Sequence, residues 1–169
     1  MDIEVIEAGR EDKTLLENLL QLYEYDFSEI VGSDTGPEGR YEDVSLDDQW
    51  PEPGYHAYIV RVDGQLAGFA LVTRRSHFTG DTNVTDMEEF FIMRKYRRAG
   101  VGREVATRLF DLFPGRWEVR EPEPNAGATA FWRRVIGEYT GGRYQDQVVN
   151  DKRWQGRYQS FDTSDKTRA

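Results

Sequence analysis

Apolar and polar residues alternate from Asp2 to Glu7, with Ile3 and Val5 set against Glu4 and Ile6, and this period of two predicts a first strand. The period then changes. Leu16, Leu19, Leu20, Tyr23 and Phe27 form one helical face, behind Asp12 or Thr14 as cap, and Thr14 with Glu17 has capping-box spacing. Gly32 to Gly54 is rich in Gly, Pro, Asp and Ser and reads as a loop with room for a short helix. Tyr55 to Val62 and Gln65 to Arg75 read as two strands joined by Asp63-Gly64, a strong hairpin signal. Val84 to Met93 is the next strand. Val101, Val105, Leu109, Leu112 and Phe113 then recur at helical spacing until Pro114-Gly115. A short strand follows at Arg116 to Arg120. Asn125 can cap a helix carrying Ala128, Phe131, Trp132, Val135 and Ile136. Tyr144 to Val149 and Arg153 to Phe161 read as two closing strands. The order β-α-loop-β-β-β-α-β-α-β-β predicts an α/β (α+β) class domain: a mixed, mostly antiparallel sheet with helices on both faces.

The length of 169 residues fits one domain, taken as 1–162, with a polar, frayed tail over 163–169. The absence of cysteine excludes disulfides and zinc-thiolate sites. His56 and His77 stand far apart, so no metal site is expected and both histidines read as structural or exposed. The acidic start does not resemble a signal peptide and no apolar run could span a bilayer, so a cytoplasmic protein without membrane partner is expected. The formal charge of −9 argues against nucleic-acid binding, which needs clustered Lys and Arg, and tilts toward a cationic substrate. A closing strand left at the sheet edge would invite pairing in a homodimer.

One stretch carries candidate chemistry. RRAGVG, Arg97 to Gly102, lies between the aromatic strand MEEFFIM and a helix start. The first amides of a helix have no intrahelical partner and the helix dipole is positive there, so a glycine-rich turn at that point suits an anion such as phosphate. A nucleotide-binding protein of another type is disfavoured: there is no G-x-x-x-x-G-K-[ST] sequence, and RRAGVG is not G-x-G-x-x-G.

In this context the chain resembles the GNAT acyltransferase superfamily, whose [R/Q]-x-x-G-x-[G/A] signature is matched by Arg97, Gly100 and Gly102. EEFFIMRKYRR is similar to the family's acidic, aromatic strand leading into a Tyr-Arg pair, and NAGATAFW, Asn125 to Trp132, to its Asn-x-x-Ala helix start. The likeness covers roughly residues 56 to 139. Two departures stand out: Trp132 occupies the position of the family's usual tyrosine, and VIGEYTGG replaces its Gly-aromatic helix end.

The resemblance implies acetyl-CoA as cosubstrate, with no metal, and transfer of its acetyl group to a primary amine of a small molecule or peptide. A non-catalytic acyl-CoA-binding module is the alternative. By the same analogy the amides of Arg98, Ala99, Gly100, Val101, Gly102 and Arg103 would bind pyrophosphate, beside Arg97. Free amides near Ile92 and Met93 would meet pantetheine or the thioester carbonyl, and Asn125 and Trp132 would border the cofactor. An alkylammonium has a pKa near ~10.4, so direct attack needs a base. Glu88 is the first choice, with Glu89 and Asp86 next; alternation puts Asp86 and Glu88 on one face and Glu89 on the other unless a bulge intervenes. The leaving thiolate needs an acid. An indole cannot serve, which leaves Tyr139, Tyr144 or solvent. Tyr23, Tyr25 and Phe27 are candidates to line the acceptor pocket.

Overall fold

The N-terminal alternation becomes β1 (Ile3–Glu7), and the apolar stripe after it becomes α1 (Lys13–Val31). The chain then forms β2 (Tyr55–Val62), β3 (Gln65–Thr73), β4 (Val84–Ile92), α2 (Val101–Leu112), β5 (Arg116–Pro122), α3 (Ala126–Thr140), β6 (Gln145–Asn150) and β7 (Gln155–Asp162). These come from a computed structural model that describes residues 1–42, 44–46 and 50–166. The seven strands form one sheet in the order β1-β2-β3-β4-β5-β7-β6. Every neighbouring pair is antiparallel except β4 and β5, which run parallel because α2 carries the chain back across the sheet between them.

Local chemistry sets several junctions. Asp63 and Gly64 both have positive φ, 50° and 77°, the geometry a two-residue hairpin requires. Asn125 caps α3, its side-chain oxygen accepting from the Ala128 amide at 3.0 Å. At α1 the outcome differs from the sequence reading. The helix begins at Lys13, so Thr14 already lies inside its first turn; Asp12, the other candidate, holds the N-cap position, but its side chain accepts from the Gly9 amide at 3.0 Å and makes no bond to the helix's own amides. Glu17 turns outward to the loop, accepting from the Leu46 amide at 3.3 Å. Between Gly32 and Gly54 the described residues contain no helix; residues 43 and 47–49 lie outside the description.

Two cores fill the two faces. Leu16, Leu19 and Leu20 of α1 pack with Ala57, Ile59, Phe69, Leu71 and Phe91 on one side. Val101, Val105, Leu109 and Phe110 of α2 and Trp132, Val135 and Ile136 of α3 pack with Val60, Met87, Trp117, Val119 and Phe161 on the other. The segment after β7 is docked rather than frayed: Thr163 accepts from the Gly115 amide at 2.8 Å and Lys166 pairs with Asp111 at 2.9 Å. Residues 167–169 lie outside the description.

Candidate active site

The sheet opens where its one parallel pair ends. β4 and β5 pair only over Val84–Met87 and Arg116–Val119, then run on to Ile92 and Pro122 without pairing each other, while β5 stays bonded to β7. A bulge marks the divergence. Leu71 lies opposite Glu89 and Val72 opposite Met87, leaving Glu88 as the extra residue. Its effect on direction is visible in the cores: Met87 packs under α2 and α3, yet Phe91 packs under α1, although strict alternation would put both on one face. Glu89 therefore joins Asp86 on the α1 side of the sheet. Met93 donates its amide to the Ala67 carbonyl at 2.8 Å, so the free amide expected of it is already spent on the sheet. By the same alternation the amides of Phe90 and Ile92 point away from β3, into the gap that β5 has left.

The gap is a narrow slot of about 80 Å³. Tyr23 and Phe27 of α1 line one side, and Asn125, Ala128 and Trp132 the other. Glu88, Glu89 and Phe90 run along β4, and Arg120, Glu121 and Pro122 along β5. Trp132 is 5% exposed and packs against Phe90, with ring centroids 5.0 Å apart, so it is both core and slot wall.

The RRAGVG turn lies where β4 feeds α2. Arg98 and Gly100 are left-handed, with φ of 63° and 83°. Nothing lies within 4 Å of a Cβ added to Gly100, so conformation and open space, not packing, call for glycine there. Gly102 has another reason: an added Cβ would sit 3.1–3.2 Å from the Phe131 ring, so this glycine lets α2 approach α3. Arg97 is engaged within the protein. Its Nε donates to the Ile92 carbonyl at 2.7 Å and its Nη2 to Asp26 of α1, which also accepts from Arg94 at 2.6 Å. Arg97 thus ties the turn to α1. The amides of Val101, Gly102 and Arg103 precede the bond from Glu104 N–H to the Gly100 carbonyl and keep the orphan status of a first helical turn.

Three carboxyl groups line the slot, Glu88, Glu89 and Glu121, and a fourth, Asp86, is tied to the lining residue Arg120. Asp86 is buried and forms a two-bonded pair with Arg120 at 2.6 and 3.1 Å. Glu89 is pushed up to about 7, first by burial, with the Tyr23 hydroxyl drawing it partly back and the Glu88 charge raising it. Tyr23 is in turn driven far above the usual phenol range by burial and then by Glu89. Glu88, the more exposed of the β4 pair, is raised by partial withdrawal from water and by Asp86. Glu121 is 1% exposed and is also pushed up to about 7 by burial. Sequence reading missed Glu121 and the Asp86–Arg120 pair. The signal for Glu121 was present: it follows Trp117 and Val119 at spacing two and so belongs to the buried face.

Tyr139 stands away from this slot. It lies near the far end of α3, packs against Phe110 and Phe161, and donates its hydroxyl to Asp111 at 2.8 Å. Burial and Asp111 raise its pKa well above the phenol value, the wrong direction for an acid. Tyr144 packs against Gly137 at that same end of the helix. His56 bonds to Glu7 at 2.8 Å and His77 to the Arg153 carbonyl at 2.7 Å; neither lines the slot. Tyr25 is 69% exposed and lines a separate shallow cavity with Arg94 at the end of α1. Among the described residues no group of His, Cys, Asp and Glu could hold a metal, and no helix is long and apolar enough to cross a membrane.

A parallel pair that splays, with a glycine turn and helix start at its mouth, is the architecture of an acyl-CoA N-acyltransferase. The family model "Acetyltransferase (GNAT) family" matches residues 16–137, and the chain belongs to that family of acyltransferases. Solved structures agree in fold. An acetyltransferase from Thermus thermophilus superposes with a TM-score of 0.69 at 14% identity, over 96% of this chain and 97% of that one. An aminoglycoside acetyltransferase solved with coenzyme A gives 0.67 at 14% identity, over 97% and 96%. Spermidine N-acetyltransferase from Vibrio cholerae, solved with CoA and spermine, gives 0.65 at 9% identity, over 96% of each chain. No curated relative matches the chain by sequence.

Proposed function

We propose that the protein transfers the acetyl group of acetyl-CoA to a primary amine of a small molecule or peptide by direct attack within the slot. The observation that carries this reading is the opening between β4 and β5 beyond Met87 and Val119, with Glu89 on its α1 side. Amides of the Arg98–Arg103 turn and the positive end of α2 suit the pyrophosphate. The Phe90 and Ile92 amides, aimed into the gap, suit the pantetheine arm and the thioester oxygen, where a donor stabilises the tetrahedral oxyanion. The amine arrives from the α1 side past Tyr23 and Phe27. Spermidine and aminoglycosides, named for two structural neighbours, are the first acceptors to try.

Glu89 is the base in this reading, ahead of Glu88. A carboxylate with a pKa near that of neutral solution is ionised in useful amount at pH 7 and holds an amine proton better than an ordinary Glu does. Asp86, locked to Arg120, is left to brace the slot. The test is thiol release from acetyl-CoA with amine probes as a function of pH. Wild-type kcat/KM should fall about tenfold per pH unit below 7. Glu89→Gln should lose on the order of 10²–10⁴-fold, and Glu88→Gln much less. The reverse ranking would move the base to Glu88. Acetyl-CoA binding without thiol release for any amine would reject the transfer reading.

A further inference from the structure

The slot has a carboxyl group on each side, half-buried Glu89 and buried Glu121, and the transfer proposed above uses one. Glu89 lies on the α1 side. Glu121 lies on the α2 and α3 side, following Trp117 and Val119 of the core beneath those helices. Both Glu121 oxygens are fully enclosed and neither makes a hydrogen bond of good geometry; the polar group beside them is the buried amide of Gln159 of β7, near enough to draw the carboxyl's pKa partly back down. Buried polar atoms are almost always paired, so a carboxyl left unpaired at the wall of a reaction slot needs an explanation. Trp132 shares that wall and has only an indole N–H to offer.

We propose that Glu121 is the general acid of the transfer, giving its proton to the sulfur that leaves the acetyl group. The inference rests on the acetyl-transfer reading. In the step, the nitrogen of the neutral amine, its ammonium proton already released to water, bonds to the carbonyl carbon and sheds one N–H proton to Glu89. The carbon–sulfur bond breaks, sulfur keeps the electron pair, and the Glu121 O–H proton moves onto sulfur. Amide and neutral thiol leave; Glu89 then holds one proton more and Glu121 one fewer, and exchange with water restores both.

The surroundings keep Glu121 able to hold a proton. Facing it are Gln159 and Arg157 of β7, Asp146 of β6 and Arg133 of α3, with Glu88 and Glu89 across the slot on β4. Asp146 pairs with both Arg133 and Arg157, so one of the two positive charges is offset by another carboxylate, and the pull of the arginines that remains is weaker than the cost of burial. Burial then dominates and Glu121 sits at about 7. A simple thiol has a pKa of roughly 8.5, so the proton moves to the more basic group.

The test is carbon-13 NMR of the carboxyl groups in glutamate-labelled protein, with the Glu121 signal identified by its loss in Glu121→Gln. The signal should titrate near neutral pH. It should shift when CoA binds and stay in place when desulfo-CoA binds, because the two ligands differ only at the sulfur. Equal shifts with both ligands would place Glu121 on the pantetheine arm and overturn the proposal, as would a signal that titrates in the ordinary carboxylate range. No binding of either CoA form would instead overturn the acetyl-transfer reading beneath it. With a turned-over amine, Glu121→Gln should keep the KM for acetyl-CoA and lose kcat by on the order of 10²-fold. Unchanged kcat would also refute the assignment.

Discussion

Replacing Glu121 with glutamine should stabilise the ligand-free protein at high pH and leave it nearly unchanged at low pH. The native carboxyl sits at about 7 against an ordinary 4.5, so the folded state binds this proton more tightly than the unfolded state does. The sign follows from that order. Below 4.5 the group is protonated in both states and costs nothing extra. As pH rises through 7 the folded protein must bury a charge, and stability is lost. The gap corresponds to about 3 kcal/mol, at about 1.4 kcal/mol for each tenfold in proton affinity, as an order-of-magnitude ceiling. Glutamine keeps the shape, can bond to Gln159 and never ionises. For a chain of this size the difference amounts to roughly 6–12 °C in Tm. Thermal melts of both proteins at pH 5 and pH 8 would read it. Comparing the two proteins cancels Glu89, which acts in the same direction, and the lowered Asp26 and Asp151, which act oppositely at lower pH. A stability gap equal at both pH values, or a variant less stable at pH 8, would refute the reasoning.

Two further predictions concern the turn. Gly102→Val should push Phe131 away and destabilise the fold by about 1–3 kcal/mol, read by urea unfolding; an unchanged midpoint would mean α2 and α3 do not approach as closely as the added Cβ implies. Asp26→Ala should cost less than about 1 kcal/mol, because Arg94 and Arg97 are well exposed, yet weaken acetyl-CoA binding several-fold by releasing the turn from α1. Equal affinity in a titration would show that the ion pair does not hold the turn in place.

Much of the fold was legible because its signals are local. The β2–β3 hairpin follows from alternating residues around Asp63-Gly64, and the start of α3 from Asn125. The turn was legible too, since a strand, two glycines and an apolar helix stripe stand in order. What was hidden depends on partners distant in sequence. The bulge at Glu88 appears only when β3 is laid beside β4, and it reverses which side Glu89 takes. Arg97 looked like a phosphate ligand because its partner, Asp26, is 71 residues away. Tyr139 looked like an available acid because the apolar spacing of α3 does not reveal that Asp111 receives its hydroxyl. The docking of Thr163 and Lys166 was hidden because their partners, Gly115 and Asp111, stand far back in the sequence, on the loop before β5 and at the end of α2.

The most direct test of the central claim is calorimetric titration of acetyl-CoA into the wild-type protein and into Gly100→Trp. A Cβ added at Gly100 meets open space, so the variant is expected to fold, with the cost of a left-handed residue, and its ring to cover the amides of the turn; a thermal melt checks the fold. Binding to one site in the wild type and its loss in the folded variant are expected. No binding to the wild type, or equal binding to both, would contradict the placement of the cosubstrate at the mouth of the splayed strands.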